Sequence, residues 1–165
     1  MTAQEGPEGG ANPPARLNLD RADIGFSAAH FSIVGGRAER LHGHNYRVLL
    51  QAHGVVGADG TMVDFGVLKR ALRDVCAQLD ERTLLPLHSD RVSVQGDGDD
   101  VAVTEGTRRF RFPLSDVCLL PIVNTTCEAL AAHLLASMRD LLGALPVRLE
   151  ITVEEKPGQS ATVFE

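Results

Sequence analysis

The sequence predicts an α+β fold in which two helices pack on one face of an antiparallel sheet. Three observations carry this expectation. Val147 to Val153 (VRLEITV) alternates strictly between apolar and polar residues, the period of a half-buried strand. Asn45 to His53 (NYRVLLQAH) is rich in Val and Leu and reads as another strand. Two segments, opening at Asp64 and Thr125, carry apolar residues at helical spacing. The predicted order is two strands, helix, small hairpins, helix, two strands.

Taken in order, Leu17 to Phe31 alternates loosely through Leu17, Leu19, Ile24 and Phe26 and suggests one long strand, paired with Asn45–His53 as an antiparallel ribbon. Gly54 to Gly60 (GVVGADG) reads as a hairpin turn containing Asp-Gly. Asp64 stands where a helix N-cap belongs, followed by Val67, Leu68, Ala71, Leu72, Val75, Cys76 and Leu79 on one face. Residues 91–112 hold short alternating runs (RVSVQ, VAVTE, RRFRF) broken by GDGDD and Glu105-Gly106, which predicts a small β excursion. Thr125 and Glu128 are spaced as a capping box for a second helix, and Gly143 suits its end. Ala161 to Phe164 is a last short strand after a Pro-Gly turn.

Composition narrows the function classes. The 165 residues fit one domain, and 44% apolar content is enough for a core, with aromatics at only 4%. Residues 1–16 are Gly/Pro-rich and read as a disordered tail, leaving 17–165 as the domain. A net charge of −6 argues against a nucleic-acid or anionic-membrane surface. No apolar run approaches the roughly 20 residues that span a bilayer. Cys76, Cys118 and Cys127 are sparse and odd in number, which points to free thiols in a reducing cytoplasm. Cys76 falls on the first helix's apolar face and Cys118 in an apolar run.

The chemical signal is in the histidines. In an extended His42-Gly43-His44 the two imidazoles point to one face, and His30 ends the preceding strand where it can join them. Three neutral imidazoles form the ligand set of an open catalytic zinc site, whereas a structural zinc usually closes with four ligands including cysteine. The bland reading makes HGH a polar loop and His30 a core residue. His53, His88 and His133 read as surface or packing residues.

FSAAH, LHGHNYRV, MVDFGVLK, LDERTLLP and the closing EKPGQSATV resemble the 6-pyruvoyl-tetrahydropterin synthase family, which includes the 6-carboxytetrahydropterin synthases. The resemblance runs from about residue 17 to the C-terminus. It implies a T-fold, a four-stranded antiparallel sheet with two helices on one face, to which residues 91–112 add a hairpin. It also implies trimers that stack into a homohexamer, active sites between subunits, Zn2+ on His30, His42 and His44, and a dihydropterin substrate. Glu155, with Glu154 as the fallback, would anchor the pterin ring. Thr126, Cys127 and Glu128 match the stretch that lines the pterin pocket; Cys127 also reads as a packing residue.

The resemblance breaks at the catalytic triad. The family's reactive cysteine falls at Ala38, and its Asp-His pair at Asp80-Glu81, so only Asp80 remains. Glu39 gives the pattern E-x-x-H-G-H, which resembles a subset of the family that uses glutamate and cleaves the side chain of a dihydroneopterin. Two expectations follow. One is a zinc-dependent lyase on the side chain of a 7,8-dihydroneopterin derivative, with Glu39 or Glu81 as base. The other is a pterin-binding homologue without the synthase reaction, in which Glu39 is a solvated loop residue and Glu81 a helix-end charge.

Overall fold

The computed structural model describes residues 12–165. Strands β1 (Pro14–Leu19), β2 (Gly25–His30), β3 (Ile33–Val34), β4 (Arg37–Ala38) and β5 (His42–Val55) lead to helix α1 (Phe65–Ala77). Then come β6 (Arg82–Pro86), β7 (Val92–Asp97), β8 (Asp100–Glu105), β9 (Arg108–Pro113) and β10 (Val117–Leu120). Helix α2 (Cys127–Leu142), β11 (Arg148–Lys156) and β12 (Gln159–Phe164) complete the chain. The predicted tail lies mostly outside the described residues, while Pro14, Ala15 and Arg16 belong to β1.

The main sheet runs β10-β6-β2-β5-β11-β12, with β1 also on β5. Its centre, β2-β5-β11-β12, is the predicted four-stranded antiparallel sheet. The expected long first strand is two strands lying end to end along β5, β1 against residues 50–55 and β2 against residues 42–47. Between them the chain turns, with Ile24 N–H donating to Arg21 C=O. The interruption explains why the inward residues switch from odd (Leu17, Leu19) to even (Phe26, Ala28, His30): alternation survives only if an odd residue is absorbed. Four strands went unpredicted, the two-residue pair β3 and β4 and the longer β6 and β10. Strands β6 (RTLLP) and β10 (VCLL) are short apolar runs without alternation, paired parallel to each other at the sheet margin.

Other elements differ in detail. Gly54 and Val55 continue β5, and the turn at residues 57–61 feeds α1 rather than a hairpin. The 91–112 region is a three-stranded meander, β7-β8-β9. Asp64 caps α1, accepting from Gly66 N–H at 2.7 Å. The α2 cap is Thr126, one residue later than the predicted Thr125, and accepts from Ala129 N–H at 3.4 Å. Gly143 ends α2 at φ 60°, a conformation that favours glycine.

Two apolar clusters result. The larger joins the inner face of the sheet (Phe26, Tyr46, Val48, Leu50, Leu149, Ile151, Val153) to Leu68, Leu72 and Val75 of α1 and Leu130, Leu134 and Met138 of α2. Each such side chain contributes about 1.5–3 kcal/mol on burial. The smaller gathers Phe31, Leu85, Val92, Val101, Val103 and Val117 beneath the meander, with Ala38 and Phe110 against it.

Candidate active site

His30 and His42 are direct partners across β2 and β5, and His44 follows opposite Ala28. Alternation therefore sends all three imidazoles to the helix side of the sheet. Their ring centroids are 4.7, 4.8 and 5.3 Å apart, and one ring nitrogen from each lies within 4.8 Å of the others. Gly43 serves the sheet rather than a ligand: it faces the other way, and a Cβ there would come 3.2 Å from the Ala28 carbonyl oxygen.

Hydrogen bonds fix which nitrogens are free. His30 Nδ1 lies 2.9 Å from the Thr125 carbonyl and His42 Nδ1 lies 2.7 Å from that of Arg40. A carbonyl only accepts, so both Nδ1 atoms carry the proton and both Nε2 atoms present lone pairs. His30 is 1% exposed, and His30 Nε2 and His44 Nε2 are buried without a partner among the described residues. Leaving such an atom unsatisfied costs about 1–3 kcal/mol. Burial, first among the causes, holds both imidazoles below their ordinary value, so they are neutral, as metal ligands must be. The donor set fits a metal ion. His30, His42 and His44 would hold such an ion through three neutral imidazole nitrogens, a donor set that suits zinc.

Beside the cluster opens a cavity of about 310 Å3, lined by Ser32, Glu39, Thr126, Cys127, Glu128 and Glu155, with Gln159 to Ala161 at its rim. Glu155 sits where the β11–β12 register breaks, and its Oε2 lies 3.9 Å from His44 Nε2 and 3.7 Å from Cys127 Sγ. Because burial keeps His44 neutral, the first contact is an imidazole beside a carboxylate rather than an ion pair. Glu154, the fallback, pairs with Arg47 on the opposite face. Tyr46 walls the cluster, its ring 5.8 Å from His30 and 5.6 Å from His44. Thr125 is buried behind it, donating to Phe31 C=O at 3.0 Å.

The catalytic candidates divide. Glu39 is exposed in the cavity, and its backbone N–H donates to Ser32 C=O at 2.9 Å. Ala38 packs instead against the smaller apolar cluster. Asp80 accepts from Ser27 N–H at 2.7 Å, and Glu81 N–H donates to Ser27 C=O at 2.7 Å. Both tie the end of α1 to the β2 margin. Glu81, at φ 55°, lines a second cavity of about 580 Å3 with Ser27, Ala28, Ala29, Gly43, His44 and Asn45. The chain thus brings Glu39, but neither Asp80 nor Glu81, to the cavity lined by Glu155, while Glu81 shares the second cavity with His44.

Ser32, Gln159, Ser160 and Ala161 were not singled out from sequence. The last three lie within EKPGQSATV and could have been, whereas nothing marks Ser32.

Residues 21–165 match the family model described as 6-pyruvoyl tetrahydropterin synthase. The chain belongs to that family. Among relatives of the 6-pyruvoyl tetrahydropterin synthase family, a Methanocaldococcus jannaschii protein provisionally named a 6-carboxy-5,6,7,8-tetrahydropterin synthase is 29% identical over 150 residues, 88% of this chain and 92% of the relative. The solved 6-pyruvoyl tetrahydropterin synthase of Plasmodium vivax is 34% identical with a TM-score of 0.88, covering 93% of this chain and 99% of its own. That of Plasmodium falciparum is 30% identical with a TM-score of 0.87, over the same shares. Two solved variants of the P. vivax protein replace a glutamate described as a catalytic residue, by alanine and by cysteine.

Proposed function

We propose that this chain is a zinc-dependent lyase acting on the side chain of a 7,8-dihydroneopterin derivative, with Glu39 as its base. The observation that carries the reading is Glu39 and Glu155 lining one cavity beside three clustered imidazoles, of which His30 and His44 have buried, unpartnered Nε2 atoms. The catalytic glutamate of the P. vivax relative supports it.

The residues have distinct tasks. The Glu155 carboxylate accepts from the N–H groups of the pterin ring, and the free first-turn N–H groups of α2 receive a ring oxygen. His30, His42 and His44 hold zinc, which supplies a Lewis acid to polarise the side-chain hydroxyls. Glu39 removes a hydroxyl or carbon-bound proton. Loss of the proton from the hydroxyl on the second side-chain carbon turns that carbon into an aldehyde carbonyl as its bond to the first carbon breaks. The electron pair of that bond is drawn into the ring imine, the carbon left on the ring regains a proton, and the aldehyde fragment departs. Thr126, Cys127 and Glu128 shape the wall.

Asp80 and Glu81 lie away from this cavity within one subunit, so they would take part only where subunits meet. A homohexamer, as the family resemblance implies, is accordingly part of the proposal. The open sheet face with Arg47, Gln51 and Thr152, and Phe164 at 68% exposure on edge strand β12, support assembly. No helix among the described residues is long and apolar enough to cross a membrane. A cytoplasmic location is proposed from the free cysteines.

The test is to incubate the zinc-loaded protein with dihydroneopterin triphosphate and follow pterin products by chromatography. A shortened side chain, lost in Glu39→Gln, is the expected result. Retained pterin binding without any product would sink the lyase and leave the second reading, a pterin-binding homologue, which Ala38 at the cysteine position favours.

A further inference from the structure

Glu39 sits on a loop, and a base on a loop works only if its backbone is held. Three anchors meet there. The β3–β4 hairpin is bound on one side by Asn124, whose Oδ1 accepts from Ile33 N–H and whose Nδ2 donates to Ile33 C=O, both at 2.9 Å. Glu39 N–H donates to Ser32 C=O. From the other side comes Arg108, first residue of β9. Its guanidinium donates to Glu39 C=O at 2.7 Å and approaches Ala38 C=O at 3.4 Å.

Arg108 is itself fixed. Its guanidinium carbon lies 5.0 Å from the Phe110 ring centre and 5.8 Å from that of Phe31, and Glu105 is 3.4 Å away. Phe31 follows the ligand His30 directly. Stacking on two rings plus an ion pair leaves the planar fork little freedom, so its hydrogen bonds cost less ordering.

We propose that Arg108 is a positioning residue for Glu39, through which the β7–β9 meander sets where the carboxylate stands relative to the metal ligands. This rests on Glu39 being the base. Arg108 touches no reacting atom; it acts on the peptide that carries the base.

The test compares Arg108→Met, which keeps the apolar stem but removes the donors, with Arg108→Lys and with Arg111→Ala as a control on the same meander. With dihydroneopterin triphosphate, Arg108→Met should lower kcat about 10–100-fold with KM and zinc content little changed. Arg108→Lys should recover part of the loss, and Arg111→Ala should match the wild type. In a Glu39→Gln background, Arg108→Met should cost nothing more, because the group it positions is gone. Hydrogen exchange of residues 33–41 should accelerate in Arg108→Met, with 117–126 unchanged. Unaltered turnover, unaltered exchange in 33–41, or a full additional loss in the Glu39→Gln background would each overturn the proposal. If the wild type makes no product, the lyase reading fails by itself, and the exchange comparison still decides what Arg108 does.

Discussion

The Cys127 thiol sits 3.7 Å from the Glu155 carboxylate, and its pKa is pushed up to about 11, by burial first and by that carboxylate second. The thiolate, not the thiol, is the nucleophile. Cys127 therefore should resist iodoacetamide at neutral pH, with an alkylation midpoint near the value of about 11. Glu155→Gln should lower that midpoint without bringing it to the ordinary thiol value, since burial remains. Rapid alkylation of Cys127 at neutral pH would contradict this arrangement.

Metal removal separates the histidines. His42→Ala should abolish stoichiometric zinc binding, measured by elemental analysis, with modest cost to the apo fold, because its Nδ1 bonds only to nearby Arg40. His30→Ala should lose zinc and stability together, since His30 is buried and bonded to the Thr125 carbonyl ahead of α2. Zinc at 100 times its Kd stabilises a native site by about 2.7 kcal/mol. That increment should appear as a raised Tm in the wild type and vanish in His42→Ala.

Restoring the family's cysteine should not restore its reaction. Position 38 packs against the apolar cluster beneath the meander, and Glu81 lines a different cavity from Glu39 and Glu155. Ala38→Cys, Glu81→His is expected to give no 6-pyruvoyl product from dihydroneopterin triphosphate. Appearance of that product would mean that the loop turns over when a thiol is present.

The Glu165–Arg139 ion pair gives a pH signature. Glu165 is held below its ordinary value of 4.5, chiefly by hydrogen bonding to Arg139, and it also accepts from Leu149 N–H at 3.1 Å. A depressed folded-state pKa adds stability above the unfolded value that is lost as pH falls through the folded one. The pair is partly exposed, so its worth is about 0.2–1 kcal/mol. Glu165→Gln should be less stable than wild type by that amount at pH 7. The difference should fade as the pH drops below 4.5. A gap persisting in strong acid would assign the effect to packing instead.

What the sequence made legible was local. H-x-H on a strand, with His30 at matching parity, forecasts three imidazoles on one face because strand alternation is a backbone property. The helices were legible because their apolar periodicity runs through several turns. The hydrogen bond that Asp80 makes was not legible, because its partner, Ser27 N–H, lies 53 residues away and has no sequence signature. The α2 cap slipped by one because Thr125 and Thr126 are chemically alike; tertiary contacts to Phe31 and His30 claim the first and free the second. Strands β6 and β10 were hidden because a buried parallel pair shows no alternation.

His30 and Phe31 are consecutive, yet one faces the main sheet and the other anchors the small cluster under the meander. The proposed metal-holding half and proton-moving half of the machinery are thus rooted in separate bodies of packed residues, joined at His30-Phe31 and again at Leu84-Leu85 and Val117-Cys118. Under the proposed function, damage to the meander is expected to remove turnover while sparing the residues that would hold zinc and pterin.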